Sequence, residues 1–195
     1  AVSNATAFGS ISSLGSMVFI KKLTASSSAT LSFVDGSDGV VLDDTYKEYL
    51  FTFKNIHPSA RAGFTFNMST DVGSNYNVTK TTTFFRAYHS ESGDSILGYA
   101  SSFDLAQSTA FQLISGDNLS NDNDSGMSGE LTLFNPSSTT FVKHFISKVN
   151  YQGDDYSINP YVAGYGNTTS AVDAIQFKMS SGNIDAGDIC LYGIA

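Results

Sequence analysis

The chain of 195 residues has the length of a single domain with a sizeable buried core. Only 14% of its residues are charged while 13% are aromatic, so global disorder is excluded and a turn-rich all-β protein is favoured. The net charge of −8 argues against nucleic acid and anionic lipid as partners, because both require a surplus of Lys and Arg.

Cysteine content and apolar runs bear on the compartment of the protein. Cys190 is the one cysteine of the chain, so no intramolecular disulfide can form. Residues 1–9 lack the basic region and the apolar run of a signal peptide. No apolar stretch approaches the roughly 20 residues of a membrane helix. We therefore expect a product of the cytoplasm that does not bind membranes.

The first 16 residues differ from the rest of the chain. Small and polar residues dominate there, with Phe8, Ile11 and Leu14 as isolated apolar positions. Ser and Gly disfavour a helix in such a segment. The sequence predicts an extended N-terminal arm over residues 1–16 and one β-sandwich domain over residues 17–195.

Strands are predicted next, in chain order, beginning with residues 17–23 and 30–34. Two later segments alternate aromatic and polar residues, a pattern typical of half-buried strands. The residues expected to point inward are Tyr49, Phe51, Phe53, Phe64, Phe66 and Met68. Those expected to point outward in the second segment are Thr65, Asn67 and Ser69.

The remaining residues continue the β pattern with one ambiguous stretch. Residues 100–114 have apolar positions near helical spacing, but their Ser and Thr content disfavours a helix. The further predicted strands are residues 81–89, 130–134, 140–149, 161–166, 171–179 and 188–194. About eight to eleven strands separated by frequent turns indicate an antiparallel β-sandwich, jelly-roll-like, with at most one short helix.

Residues 115–128 form a long polar loop in which metal binding is one alternative. Its segment 122–126, Asp-Asn-Asp-Ser-Gly, superficially resembles a calcium loop. In the EF-hand pattern that starts at Asn121, however, the twelfth position is Thr132 instead of a glutamate. A solvated loop is the favoured interpretation, calcium remains open, and we assign no metal or cofactor.

The usual signs of catalysis are weak. The chain has no Gly-x-Ser-x-Gly motif, and His57, His89 and His144 are far apart in the sequence. We expect His144 on the solvated face of its strand and Cys190 as a buried structural thiol. The acidic pairs at residues 43–44 and 154–155 are interpreted as edge charges. A non-enzymatic protein is expected, and a glycan-processing enzyme is disfavoured because no acid–base pair can be argued from spacing.

The aromatic content points to a binding surface. Fifteen Phe and ten Tyr exceed what we expect one core to need, and tyrosine suits protein or glycan contacts. The tyrosines in turn-rich segments, which we expect to be exposed, are Tyr46, Tyr76, Tyr151, Tyr156 and Tyr165. Our predicted partner-contact residues are Phe8, Ile11, Leu14, Tyr151, Tyr156 and Tyr165.

Three segments carry a resemblance to a known group. The run Phe177–Ile194 ends in Gly-Asp-Ile-Cys-Leu-Tyr-Gly-Ile, and residues 46–58 and 129–145 add a strand and the turn Asn-Pro-Ser-Ser. Together they resemble virion structural proteins of marine tailed bacteriophages, of the cyanophage and pelagiphage type. The resemblance covers most of residues 30–194. It implies a β-sandwich that commonly forms trimers, acting in capsid decoration or as a tail-fibre tip.

Two functions are open within this resemblance. The sequence has no coiled-coil heptads and no collagen-like repeat, so we expect a capsid decoration or cement protein more than a fibre. It would be part of the virion, assembled in the host cytoplasm as a homotrimer bound to the major capsid protein or other virion subunits. The alternative is a tail-fibre or appendage tip that binds a host glycan through exposed Tyr residues and the loop 115–128.

Overall fold

The computed structural model describes residues 17–195, so the expected arm with Phe8, Ile11 and Leu14 lies outside the described residues. Within that range the chain is all-β, as predicted, with no helix and hence none that could cross a membrane. The strands are β1 (Met17–Thr24), β2 (Leu31–Val34), β3 (Glu48–Pro58), β4 (Phe64–Ser69), β5 (Lys80–Ser90), β6 (Ser95–Tyr99), β7 (Gln112–Leu113), β8 (Met127–Phe134), β9 (Lys143–Gly153), β10 (Tyr156–Gly166), β11 (Ala174–Met179) and β12 (Ile184–Ile194).

Two antiparallel sheets pack against each other, which confirms the β-sandwich. The large sheet has the strand order β1-β12-β3-β8-β9-β10-β5-β6, and the small sheet has the order β2-β11-β4-β7. Residues 17–195 contain twelve strands, one more than the upper end of the predicted range. The strands that were not predicted are β6 and the two-residue β7. Eight strands face four, so one surface of the large sheet is packed on the core and the opposite surface, called here the outer face, carries no second sheet among residues 17–195.

Residues 100–114 contain turns, a bridge and β7 instead of the short helix that their spacing allowed. The backbone of Ser108 pairs with Lys80 of β5, and β7 pairs with β4. These pairings satisfy backbone groups that a helix would have bonded internally. Sheet contacts have therefore overridden a weak local preference.

Phe177 of β11 is the centre of the core. Its ring lies 5.5 Å from Phe51, 5.4 Å from Phe53 and 5.7 Å from Phe64, measured between ring centroids. All six residues that were expected to point inward from the two alternating segments are buried, which confirms that part of the prediction. Edge-to-face and offset contacts of this kind add to the free energy gained by burying the rings.

The outward residues of β4 were predicted wrongly. Thr65, Asn67 and Ser69 are buried, like the rest of the strand. Two connections cover that side of β4: the Asn67 carboxamide donates to the carbonyl oxygens of Tyr76 and Thr109. Alternation identifies the two faces of a strand but does not show whether a loop covers the polar one.

Candidate functional site

The outer face displays a row of three aromatic side chains from adjacent strands. Tyr161 of β10 is the register partner of Phe85 of β5, and Phe85 is the register partner of Tyr99 of β6. Phe85 is 41% exposed and Tyr99 57%, and the rings of Phe85 and Tyr161 stack with centroids 5.1 Å apart. We call these three residues the aromatic row. It ends at β6, the edge strand of the large sheet.

Further apolar side chains extend this surface. Leu97, on the same side of β6 as Tyr99, is 73% exposed, and Ile146 of β9 is also exposed. Phe19 of β1 is exposed at the opposite edge of the large sheet. A shallow groove of about 460 Å³ runs beside Ile146 and is bordered by Tyr165 and His144. Large exposed apolar areas on a folded domain mark surfaces that bind another molecule.

Charged groups lie next to the aromatic row, on the side toward the middle of the large sheet. Lys148 of β9 is the register partner of Tyr161 and forms an ion pair of 2.9 Å with Glu130 of β8. At the sheet edge, the Tyr99 hydroxyl donates a hydrogen bond to Asp104, and this bond raises the pKa of Tyr99. The surface therefore offers hydroxyl groups, a paired charge and ring faces, which suit binding.

Of the three described tyrosines that we predicted as partner contacts, one lies on the outer face. Tyr165 is half-buried there, with its ring 6.1 Å from His144. Tyr156 is half-buried on the other side of the sheet, against Tyr88 at 5.3 Å. The half-buried Tyr46, expected to be exposed, packs on Tyr49.

The expectation that Tyr151 is exposed was wrong. Its side chain is fully buried, and its hydroxyl donates to Asn118 Oδ1 at 2.7 Å. Burial raises the pKa of Tyr151 to about 12. The reason is that β9 continues to Gly153, past the end predicted at Val149, so Tyr151 keeps the inward phase of the strand.

A second candidate site is a polar cleft of about 730 Å³ at one end of the sandwich. Amide, carboxylate and imidazole side chains line it, and we define the polar cleft by Asn55, His57, Asn123, Asp124, Asn150, Gln152 and Asp185. Asn55 has a φ of 50° at the point where the register between β3 and β8 shifts. Such a bulge redirects a side chain out of the regular alternation of the strand.

The polar cleft is partly ordered by its own hydrogen bonds. His57 Nε2 lies 3.1 Å from the carbonyl oxygen of Asp122, and His57 Nδ1 lies 4.0 Å from Asp185. A neighbouring pocket of about 390 Å³ shares Asn150 and Gln152 with the cleft and adds Tyr156. The sequence indicated the loop of this site but not the strand residues that complete it.

The calcium-like segment 122–126 forms a turn, in which the backbone N–H of Ser125 donates to the carbonyl of Asp122. Residues 17–195 contain no group of three or more His, Cys, Asp or Glu side chains arranged to hold a metal ion. His144 is exposed, as expected, and His57 and His89 line different pockets. Cys190 is half-buried, in contrast to the buried thiol that was predicted.

The outer face and the polar cleft are thus the two surfaces on which a function can be argued. No protein-family model matches the chain. No curated protein matches it either.

Proposed function

We propose that the chain is a non-enzymatic structural protein of a phage virion, which decorates or cements the capsid. The observation that carries the proposal is the exposed aromatic row, Tyr161, Phe85 and Tyr99, on a sheet face that no second sheet covers within residues 17–195. The resemblance of residues 30–194 to virion proteins supplies the class of partner. Tyr and Phe are enriched where protein surfaces bind one another.

The physical basis is burial of this face against neighbouring virion subunits. Ring faces and aliphatic side chains leave water on contact, and the Lys148–Glu130 ion pair beside them provides polar specificity at the rim. Binding to assembled subunits stabilises the assembled state by mass action. A homotrimer would match the local three-fold positions of an icosahedral shell, and closed symmetry prevents open-ended association.

Purified particles of the phage that encodes the chain provide the test. We expect mass spectrometry to detect the protein in the particles, gold-labelled antibody to place it on the head, and light scattering to give a trimer in solution. Absence from purified particles would refute the proposal. If the antibody label is confined to the tail, capsid decoration is refuted and the protein belongs to a tail appendage.

A second candidate function is recognition of a host glycan, and the polar cleft favours it. Asn55, Asn150 and Gln152 place amide groups around one opening, and Tyr156 adds a ring in the adjoining pocket. Amides and carboxylates bind sugar hydroxyls through paired hydrogen bonds, and aromatic rings pack on sugar faces.

A glycan array separates the two functions. If the cleft binds glycans, the full chain should retain one class of glycan, and Asn150→Ala should weaken that signal at least tenfold, because Asn150 is exposed in the cleft. The matched control is Asn77→Ala, which changes an exposed amide outside the cleft. An array without signal for the wild-type protein rejects this second function.

A further inference from the structure

A lysine amine and an asparagine carboxamide meet in the interior of the protein. Lys80 is the first residue of β5 in the large sheet, and Asn67 lies within β4 of the small sheet. Both residues have zero exposure. Lys80 Nζ lies 2.5 Å from Asn67 Oδ1, a separation shorter than that of a normal N–H···O hydrogen bond.

The surroundings of Lys80 favour an uncharged amine. Its Nζ has two acceptors, Asn67 Oδ1 and the carbonyl oxygen of Val78 at 2.8 Å. Among residues 17–195, no Asp or Glu is within ion-pair distance of it. Burial lowers the pKa of Lys80 to about 7. A neutral amine has two N–H groups, which these two acceptors satisfy, and its lone pair is then free to act as a nucleophile.

The carboxamide of Asn67 is held in one orientation. Its Nδ2 donates to the carbonyl oxygens of Tyr76 at 2.7 Å and Thr109 at 2.9 Å. Its Oδ1 accepts from the backbone N–H of Met68 at 2.8 Å. This N–H points at the oxygen on which negative charge develops when a nucleophile adds to Cγ, so it stabilises that charge.

From this geometry we propose that Lys80 and Asn67 form an intramolecular isopeptide bond. The lone pair of Nζ attacks Cγ of Asn67, a new C–N bond forms, and the bond between Cγ and Nδ2 breaks. One proton passes from Nζ to Nδ2, and ammonia leaves. Lys and Asn side chains become one secondary amide, with no change of oxidation state and no other reactant.

The bond would join the two sheets of the sandwich covalently. Lys80 and Asn67 are 13 positions apart in the sequence, and the connection between them covers the polar side of β4. A covalent closure of such a loop restricts the unfolded chain in the same way as a disulfide does. Cys190 is the one cysteine of the sequence, so a disulfide within one chain could not supply this restraint.

Lys143 gives an internal comparison. It is equally buried, but its Nζ donates to two backbone carbonyl oxygens, those of Phe141 at 2.7 Å and Thr168 at 3.3 Å. Each of these oxygens belongs to a peptide bond. Attack of Nζ on the carbonyl carbon of that bond would cleave the chain. No isopeptide bond is expected at Lys143, which makes Lys143→Met the matched control.

The intact mass of the full chain tests the proposal. We expect the wild-type protein and Lys143→Met each to be lighter than their sequences by one molecule of ammonia, and Lys80→Arg to have its full sequence mass. Trypsin should leave residues 62–86 of the wild-type protein in one peptide, because linked Lys80 is no longer a cleavage site.

Two results would overturn the isopeptide bond. One is a wild-type mass equal to that of the sequence. The other is loss of ammonia with normal cleavage after Lys80, which would assign the loss to a cyclised asparagine. Both are read from the wild-type protein alone, so the test does not depend on whether Lys80→Arg folds.

Discussion

Phe85 and Tyr161 are register partners on neighbouring strands, and their rings stack at 5.1 Å with an interplanar angle of 5° on the outer face of the large sheet. Stacked rings usually fill a protein interior, where both of their faces are covered. Here one side of the pair is open to solvent, and Tyr99 continues the row to the sheet edge. Cross-strand pairing accounts for the stacking, and the exposed ring surface supports the proposed contact with a partner.

The double variant Phe85→Ser/Tyr161→Ser tests this surface. If the pair is the centre of the interface with virion subunits, binding to capsids that lack the protein should weaken about 30-fold or more, as for a contact worth about 2 kcal/mol. Cosedimentation with such capsids measures the effect, and circular dichroism confirms that the variant is folded.

Val72→Ser is the control for that experiment, because Val72 is an exposed apolar residue in the connection between β4 and β5. Its affinity should equal that of the wild-type protein. Equal affinity of the double variant would exclude the aromatic row from the interface.

Phe177→Ala should destabilise the fold strongly. The ring contacts phenylalanines of both sheets, among them Phe51 and Phe64, and its removal leaves a cavity between the sheets. The expected loss in the free energy of unfolding is about 3–5 kcal/mol, measured by urea denaturation. Phe141→Ala, at a ring 68% exposed, should change it by less than about 0.5 kcal/mol. A small effect at Phe177 would mean that the two sheets close over the cavity.

Much of the fold could be predicted from periodicity. The inward positions of β3 and β4, such as Phe51 and Phe66, were identified because large aromatic residues recur at every second position. The five-residue strand β6 was not identified, since Gly98 and flanking turn residues hide its alternation. The end of β9 is set by its pairing with β8 and β10. One sequence does not reveal this pairing, and Tyr151 was therefore assigned to a turn.

The candidate sites were less predictable than the fold. The aromatic row depends on β10 pairing with β5, two strands far apart in the sequence. The contact between Lys80 and Asn67 depends on a loop that covers β4, and Asn67 had been assigned to a solvated face. Tyrosines in turn-rich segments were a poor guide to exposure, because Tyr46, Tyr151 and Tyr156 contact other residues of the folded chain.

Gly193→Ala should also be destabilising, for a local steric reason. A Cβ on Gly193 would overlap the ring of Tyr46, which lies directly over the strand at that point. The ring would have to move, at an expected cost of about 1–3 kcal/mol in the free energy of unfolding. Gly98→Ala, another strand glycine with no heavy atom near the added Cβ, is the control. If the two variants are equally stable, the Tyr46 ring turns away without cost.

Asp188→Asn should reduce stability in a pH-dependent way. Asp188 of β12 accepts a hydrogen bond from Thr24 Oγ1 at 2.6 Å and lies 3.5 Å from Lys22 Nζ, both on the edge strand β1. The bond from Thr24, assisted by the Lys22 charge, holds the pKa of Asp188 below its ordinary value of 3.8. The unfolded chain therefore binds a proton more readily than the folded one between these two pKa values. The stabilisation from this carboxylate is complete above the unfolded pKa and is lost as the pH falls through the folded pKa.

Thermal unfolding of the wild-type protein and Asp188→Asn at two pH values measures this contribution. At neutral pH the variant should be less stable by about 0.5–1 kcal/mol, since the contact is partly screened by solvent. As the pH falls through the lowered pKa of Asp188, the wild-type carboxyl becomes protonated, and the difference between the two proteins should shrink. Asp44→Asn, at an exposed position before β3, is the control and should leave stability nearly unchanged. A difference of the same size at both pH values would show that the carboxylate charge of Asp188 does not stabilise the β1–β12 edge.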